Sequence, residues 1–125
     1  MSGATLDFGA LIAFERAKRP MVALVARAIE RGDILSVPAG VVAQVWRDGA
    51  RQARLVRLLA SDATQVVELD DATARAVGQL CGVSGTTDVV DASVVLCARQ
   101  RDHKILTSDV KDLRVIDPTA DLVSV

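Results

Sequence analysis

The 125-residue sequence predicts an α/β fold of three layers, α/β/α, with a central, mainly parallel sheet. Three observations carry that expectation. Short apolar runs, Ala4 to Leu6, Ile34 to Val37, Thr64 to Leu69 and Lys104 to Thr107, alternate with longer segments of helical periodicity. Half of the residues are apolar and no linker-like or low-complexity stretch divides the chain, so residues 1–125 read as one domain with a real core. The run from Val89 to Ala98 is apolar on nearly every side, which marks a helix covered by protein rather than by water.

Taken in order, Ala4-Thr5-Leu6 is a strand that leads into Asp7, and Gly9 opens a helix through Phe14 that closes in Glu15, Arg16, Lys18 and Arg19. Pro20 starts a second helix, a favoured use of proline in the first turn, and Arg31-Gly32 ends it. Ile34 to Val37 is a strand before Pro38. A helix follows from Ala39 to Trp46, broken by Asp48-Gly49, and another from Arg51 to Leu59. After the strand Thr64 to Leu69, Asp70 and Asp71 head a helix over Ala72 to Leu80, where acids suit the helix dipole. Thr86 or Thr87 is a suitable N-cap for the buried helix that follows. Lys104 to Thr107 is a buried strand, Asp109 stands before a short helix Val110 to Leu113, and Asp121 to Val125 suits a last strand.

The charge balance, net −1, gives no global basic field, so any nucleic-acid binding must be local. Mean hydropathy is positive and aromatic residues are scarce, so small aliphatic side chains make the core and some apolar surface is left for a protein partner. Cys81 and Cys97 stand sixteen positions apart with no C-x-x-C pair, which argues against a disulfide framework or a zinc site and for a reduced, cytoplasmic compartment. The apolar stretch Gly9 to Phe14 is too short for a signal-peptide core or a membrane span, and no membrane association is expected.

Carboxylates stand where chemistry is placed in such folds. Ligands of open α/β sheets gather outside the carboxyl ends of the strands, and Asp7 and Asp109 each follow a strand on that edge. Asp88 and Asp91, three apart at the head of the buried helix, share one of its faces. A carboxylate there must look into a cleft, a partner or a metal, because burying it unpaired is too costly. If that helix opens on the same edge, three or four carboxylates converge and repel, and one must take a proton unless a cation is present. An all-oxygen set without histidine or cysteine suits Mg²⁺ or Mn²⁺, and such a cation supports hydrolysis of a phosphodiester. The plainer reading makes Asp7 and Asp109 helix caps, Asp91 a structurally paired acid, and Asp88 a first-turn acid that favours the dipole. Asp70, Asp71 and Asp112 read as surface or capping acids. Arg51, Arg54 and Arg57 recur every third residue and form either a basic stripe for RNA phosphates or a solvated face. Arg47 is a candidate contact for phosphate or for a protein partner, Trp46 an interface anchor or core residue, and His103 an exposed loop residue.

These residues carry a resemblance. Strand-Asp7 followed by Gly9-Ala10-Leu11, the segment Val37-Pro38-Ala39 before a helix, Asp91-Ala92-Ser93 opening an apolar helix, and Thr107-Ser108-Asp109 after a strand together resemble the PIN domain over almost the whole chain. More narrowly, the chain is similar to VapC-type toxins of bacterial toxin–antitoxin pairs. The resemblance implies an Mg²⁺-dependent endoribonuclease, a homodimer, and a cognate antitoxin that inserts a segment at or near the acidic cleft, with Arg47 a candidate contact for it. It further implies that Asp7, Asp91 and Asp109 hold the metal and carry catalysis, with Asp88 as a supporting ligand or water-holder. One departure stands out: Gln44 occupies the helix after Val-Pro-Ala where the family pattern has an acid, and Asp48 lies ~6 Å further along the axis. The alternative that Gln44 favours is a PIN-like module that binds RNA or protein without chemistry. Neither a haloacid-dehalogenase-like phosphatase nor a receiver domain fits, since Asp7 is followed by Phe8-Gly9 rather than by further acids.

Overall fold

The computed structural model of the chain describes residues 2–125. Strands and helices alternate along it: β1 (Gly3–Leu6), α1 (Phe8–Glu15), α2 (Arg19–Arg31), β2 (Ile34–Pro38), α3 (Ala39–Val45), a 3-10 turn (Gly49–Arg51), α4 (Ala53–Ala60), β3 (Thr64–Val67), α5 (Asp71–Ser84), α6 (Val89–Arg101), β4 (Lys104–Thr107), α7 (Val110–Ile116) and β5 (Leu122–Ser124). The five strands form one sheet in the order β3-β2-β1-β4-β5, and every neighbouring pair is parallel. Strand order therefore reverses between β1 and β4, the point at which a crevice opens beyond the carboxyl ends of the strands. The expected α/β architecture is the one found.

Two groups of helices cover the sheet. Around α1 pack α2, α3 and α4, whereas α6 packs with α5 and α7 and lies against β1, β2 and β4. The core between them is aliphatic: Leu6, Leu11, Leu35, Val37, Leu55, Val94, Ile105 and Leu113 are almost fully buried. Burial of each such side chain contributes roughly 1.5–3 kcal/mol. That is why the central strands read as near-continuous apolar runs, as parallel strands covered on both faces do. α6 is buried at Ala92, Val94, Val95, Cys97 and Ala98, in keeping with its sequence.

Several boundaries differ from expectation for identifiable reasons. α3 stops at Val45 instead of continuing through Trp46 because the buried Gln52 side chain competes for the backbone. Its Oε1 accepts from the Arg47 and Asp48 N–H groups at 2.9 and 3.0 Å, and its Nε2 donates to the Val45 carbonyl at 2.9 Å. Arg51 consequently lies in the 3-10 turn, and α4 starts only at Ala53. β3 ends at Val67, short of Leu69, and α5 runs on to Ser84. Asp88, not Thr86 or Thr87, is the N-cap of α6; Thr86 Oγ1 instead accepts from the Asp88 N–H at 3.1 Å. His103 is a correction too: it is half-buried, its Nδ1 lies 3.3 Å from Thr5 Oγ1, and its ring packs over Gly3, which has no Cβ to block it. Both cysteines are free, with Cys97 buried and Cys81 half-buried.

One close approach ties the two halves of the crevice together. Gly9, in the first turn of α1, faces Ser108 in the link from β4 to α7, and a Cβ on Gly9 would lie 1.7 Å from Ser108 Oγ and 2.6 Å from its Cβ. Gly9→Ala is therefore expected to lower stability by about 1–3 kcal/mol through overpacking. Ser108→Gly in the same chain should recover most of that loss, because it removes both clashing atoms. Thermal denaturation of the two single variants and the double variant checks the coupling; additive losses would show that the two segments do not meet.

Candidate functional site

The site begins with the end of β1. Asp7 has extended backbone angles, caps α1 by accepting the Ala10 N–H on Oδ1 at 2.9 Å, and is only 4 % exposed. Its second oxygen, Oδ2, accepts the hydroxyl of Thr107, the last residue of the neighbouring strand β4. Thr107 Oγ1 also accepts the N–H of Asp109 at 2.8 Å, so one fully buried hydroxyl joins the first acid to the backbone of another. Burial pushes the Asp7 carboxyl above its ordinary value, while the bonds from Thr107 and Ala10 pull the other way.

Asp109 occupies the N-cap position of α7, but its side chain makes no capping bond, so its carboxylate stays available. Asp112 follows one turn later in α7, and Asp91 enters from the first turn of α6. One carboxylate oxygen from each of Asp91, Asp109 and Asp112 lies within 4.8 Å of the others. Asp88 caps α6 through its Oδ1, 2.9 Å from the Asp91 N–H, and its charge still acts on Asp91. The carboxyl of Asp91 is pushed up to about 7, first by burial and then by the charges of Asp88, Asp109, Asp7 and Asp112. That of Asp109 is raised by burial and by its neighbour Asp112. Among the described residues no lysine or arginine is paired with any of these five acids, since the ion pairs are Arg51–Asp48, Arg75–Asp71 and Arg99–Asp117.

The structure thus brings Asp91 and Asp109 into direct proximity, with Asp7 bound to the same Thr107 that holds Asp109, and Asp88 at the head of α6. Two further participants go beyond the sequence expectation. Asp112 stands three residues after Asp109 at the head of a helix, the same spacing that singles out Asp88 and Asp91, so a signal for it was present. Thr107 stands out in the sequence only as part of a motif, and its role depends on the lateral pairing of β1 with β4. Gln44 is half-buried on α3 and makes no side-chain hydrogen bond among the described residues. Arg47 is committed elsewhere: its guanidinium donates to the carbonyls of Ala43 and Trp46 at 3.1 and 2.7 Å, closing the end of α3.

The donor set is all carboxylate oxygen, a hydroxyl and backbone N–H groups, unneutralised and at a strand edge. It fits a hard divalent cation such as Mg²⁺ or Mn²⁺ and does not fit Zn²⁺, which draws on histidine and cysteine. Without a cation, the mutual repulsion is relieved by a proton, and Asp91 is the group that holds it near neutral pH.

No family model matches the chain, and no curated protein matches it in sequence. Solved structures do match in shape. A chain of VapBC2 from Rickettsia felis, bound to a DNA fragment from their promoter, superimposes with a TM-score of 0.73 at 12% identity over 98% of each chain. A chain of FitAB bound to an IR36 DNA fragment gives 0.62 at 17% identity, covering 97% of this chain and 94% of that one. A chain of FitAcB from Neisseria gonorrhoeae gives 0.60 at 17% identity, covering 97% and 96%. At these identities the likeness establishes the fold, and the fold is the PIN-like one.

The raised Asp91 carboxyl fixes the direction of a pH effect. An unfolded chain releases this proton near the ordinary value of 3.8, whereas the folded chain keeps it to about 7. Stability is therefore full below pH ~4 and is lost as pH rises through ~7. Asp7 and Asp109 act with the same sign, and half-buried His103, whose value is lowered, acts against them. The difference between wild type and Asp91→Asn isolates the effect. In the absence of metal, the wild-type melting temperature should fall relative to Asp91→Asn between about pH 4 and pH 7, and Mg²⁺ should restore it only at the upper end. Parallel curves for the two proteins would contradict the assignment.

Proposed function

We propose that the chain is a divalent-metal-dependent endoribonuclease and the toxin of a toxin–antitoxin pair. The observation that carries this reading is the convergence of Asp91, Asp109 and Asp112 oxygens within 4.8 Å, without a paired arginine or lysine among the described residues. We assign metal binding to Asp7, Asp91 and Asp109, as the resemblance implies, and add Asp112 on the geometry. A divalent cation bound there supplies Lewis acidity, offsetting charge on a phosphodiester and acidifying water. The chain's own contribution is placement. Thr107 fixes the Asp7 carboxylate and the backbone entry to α7, and the head of α6 presents Asp91. Asp88, outside the close trio, is assigned to hold and orient the attacking water.

A protein partner is supported by the fold shared with VapBC2 and FitAB chains and by exposed apolar side chains, Val22 and Ile29 on α2 and Val66, Leu69 and Val89 around the edge strand β3. We assign that partnership to a cognate antitoxin and, for a second apolar face, to a homodimer. We place the protein in the cytoplasm. No single helix among the described residues is long and apolar enough to cross a membrane. A second reading, a PIN-like binding module without chemistry, is favoured by Gln44, because an amide on α3 brings no negative charge toward a second cation.

Cleavage of labelled single-stranded RNA by the antitoxin-free chain, titrated with Mg²⁺ and with Mn²⁺, separates the readings. Wild type should cleave, and Asp91→Asn should be slower by about a hundredfold or more. Calorimetric Mn²⁺ binding on the same two proteins should show Asp91→Asn weakened. Equal cleavage by both proteins, or metal binding with no cleavage by wild type at saturating cation, defeats the nuclease reading.

A further inference from the structure

We infer that the arginine-lined hollow beside α4, together with the exposed indole of Trp46, is a track that holds single-stranded RNA on its way to the acidic cluster. The inference rests on the nuclease reading above and adds where the substrate lies. Arg51, Arg54 and Arg57 line one shallow hollow with Gln52, Ala53 and Glu15. Although Arg51 lies in the 3-10 turn rather than on the helix, it still joins the other two. Arg54 and Arg57 have no carboxylate within 4.0 Å among the described residues, and Arg51 has only Asp48 at 3.7 Å, a pair open to solvent. Exposed pairs of that kind contribute little, so all three guanidiniums are available to phosphate, which they match in a forked, two-bond geometry.

Next to them lies an aromatic surface. Trp46 is 41% exposed, and its ring packs over Gly49, where a Cβ would stand 2.9 Å from Trp46 Cζ2 and 3.7 Å from a Val56 methyl of α4. The glycine lets the indole lie down on the turn, between the end of α3 and the arginine helix. The turn itself is held in place: Gln52 binds the backbone of Val45, Arg47 and Asp48, and the Arg47 guanidinium binds the Trp46 carbonyl. A ring presented on a fixed loop loses little conformational freedom on binding. Guanidiniums on one side of the turn and helix and an exposed aromatic ring on the turn itself suit single-stranded nucleic acid, which offers phosphates to the one and base faces to the other. An acidic peptide would engage the arginines but leave the indole without a purpose.

The hollow and the acids lie at the two ends of α1. Glu15, on its wall, ends α1, and Asp7 caps the first turn of the same helix. Those eight residues of α1 span about 12 Å, a separation of a few nucleotides. With a net charge of −1 overall, binding depends on this local patch and is expected to be weak and steeply dependent on salt.

Trp46 is the only tryptophan in the chain, so its emission reports on this surface alone. The full chain in EDTA is titrated with a mixed-sequence single-stranded RNA of about twelve nucleotides, reading Trp46 emission and the anisotropy of a label on the RNA over a range of salt. RNA should quench Trp46. Arg54→Gln with Arg57→Gln should weaken binding roughly tenfold or more and reduce the salt slope by about 1.4, at ~0.7 for each phosphate no longer neutralised. Trp46→Ala should weaken binding roughly tenfold, and Trp46→Phe should keep most of it. Arg54→Lys with Arg57→Lys, which keeps the charge, should preserve the salt slope.

If the arginine and Trp46→Ala variants melt normally yet bind and cleave RNA like wild type, the track is wrong while the nuclease stands. If poly-glutamate quenches Trp46 and RNA does not, the surface serves a protein and the inference falls. Wild type that binds and quenches in the expected way, yet never cleaves with Mg²⁺ or Mn²⁺, upholds the track as a binding surface and defeats only the nuclease reading.

Discussion

The register of β1 against β4 is the constraint from which the rest of the site follows. Leu6, the end of β1, lies opposite Leu106, so Asp7 stands beside Thr107, the last residue of β4, at the point where strand order reverses. The Asp7 N–H donates to the Leu106 carbonyl at 3.2 Å, extending the ladder one step beyond β1. From that seam the Thr107 hydroxyl reaches both Asp7 and the Asp109 backbone. A register slip of one residue would turn Asp7 to the opposite face of the sheet and separate these groups.

What this seam positions is an electrostatic conflict. Burial of Asp7, the capping of α6 by Asp88 and the projection of Asp109 and Asp112 from α7 each make local sense as helix-terminal acids, since negative charge is favoured at a helix N-terminus. Three helices that begin at one sheet edge, however, bring their acids together. The dipoles of α1, α6 and α7 offset part of the repulsion, but the Asp91 carboxyl still rises to about 7. Asp117 is the counter-example: the Thr119 hydroxyl and N–H, and after them the Arg99 guanidinium at 3.1 Å, hold its carboxyl below the ordinary value. The contrast is between a carboxylate matched by donors and a cation, and a cluster of carboxylates left without a paired arginine or lysine among the described residues.

Much of this was legible in the sequence because it depends on short-range order. The strand-Asp7 and strand-Asp109 junctions, the apolar run of α6 and the alternation of elements all follow from local pattern, and each stands where expected. Features that depend on lateral neighbours were not legible. Thr107 acquires its partner across β1 and β4, a hundred positions apart in sequence. His103 lies among polar residues yet packs against Gly3 and Thr5. Gln52 gives no sequence signal of being the side chain that ends α3. The capping of α6 was ambiguous for a different reason: Thr86, Thr87 and Asp88 are all good cappers in succession, and only the three-dimensional turn selects Asp88. Asp112 was within reach, since it repeats the spacing of Asp88 and Asp91, but in a short polar segment that spacing also describes an ordinary surface acid.

The central claim is that these carboxylates form one cation site, and anomalous diffraction from crystals of the chain soaked in Mn²⁺ tests it most directly. The account predicts a single strong peak within about 2.0–2.3 Å of oxygens from Asp91 and from Asp109 or Asp112, with Asp7 still bound to Thr107. A peak held by other residues, or a trio that stays free of metal at saturating Mn²⁺ with Asp91 turned outward to solvent, would contradict it.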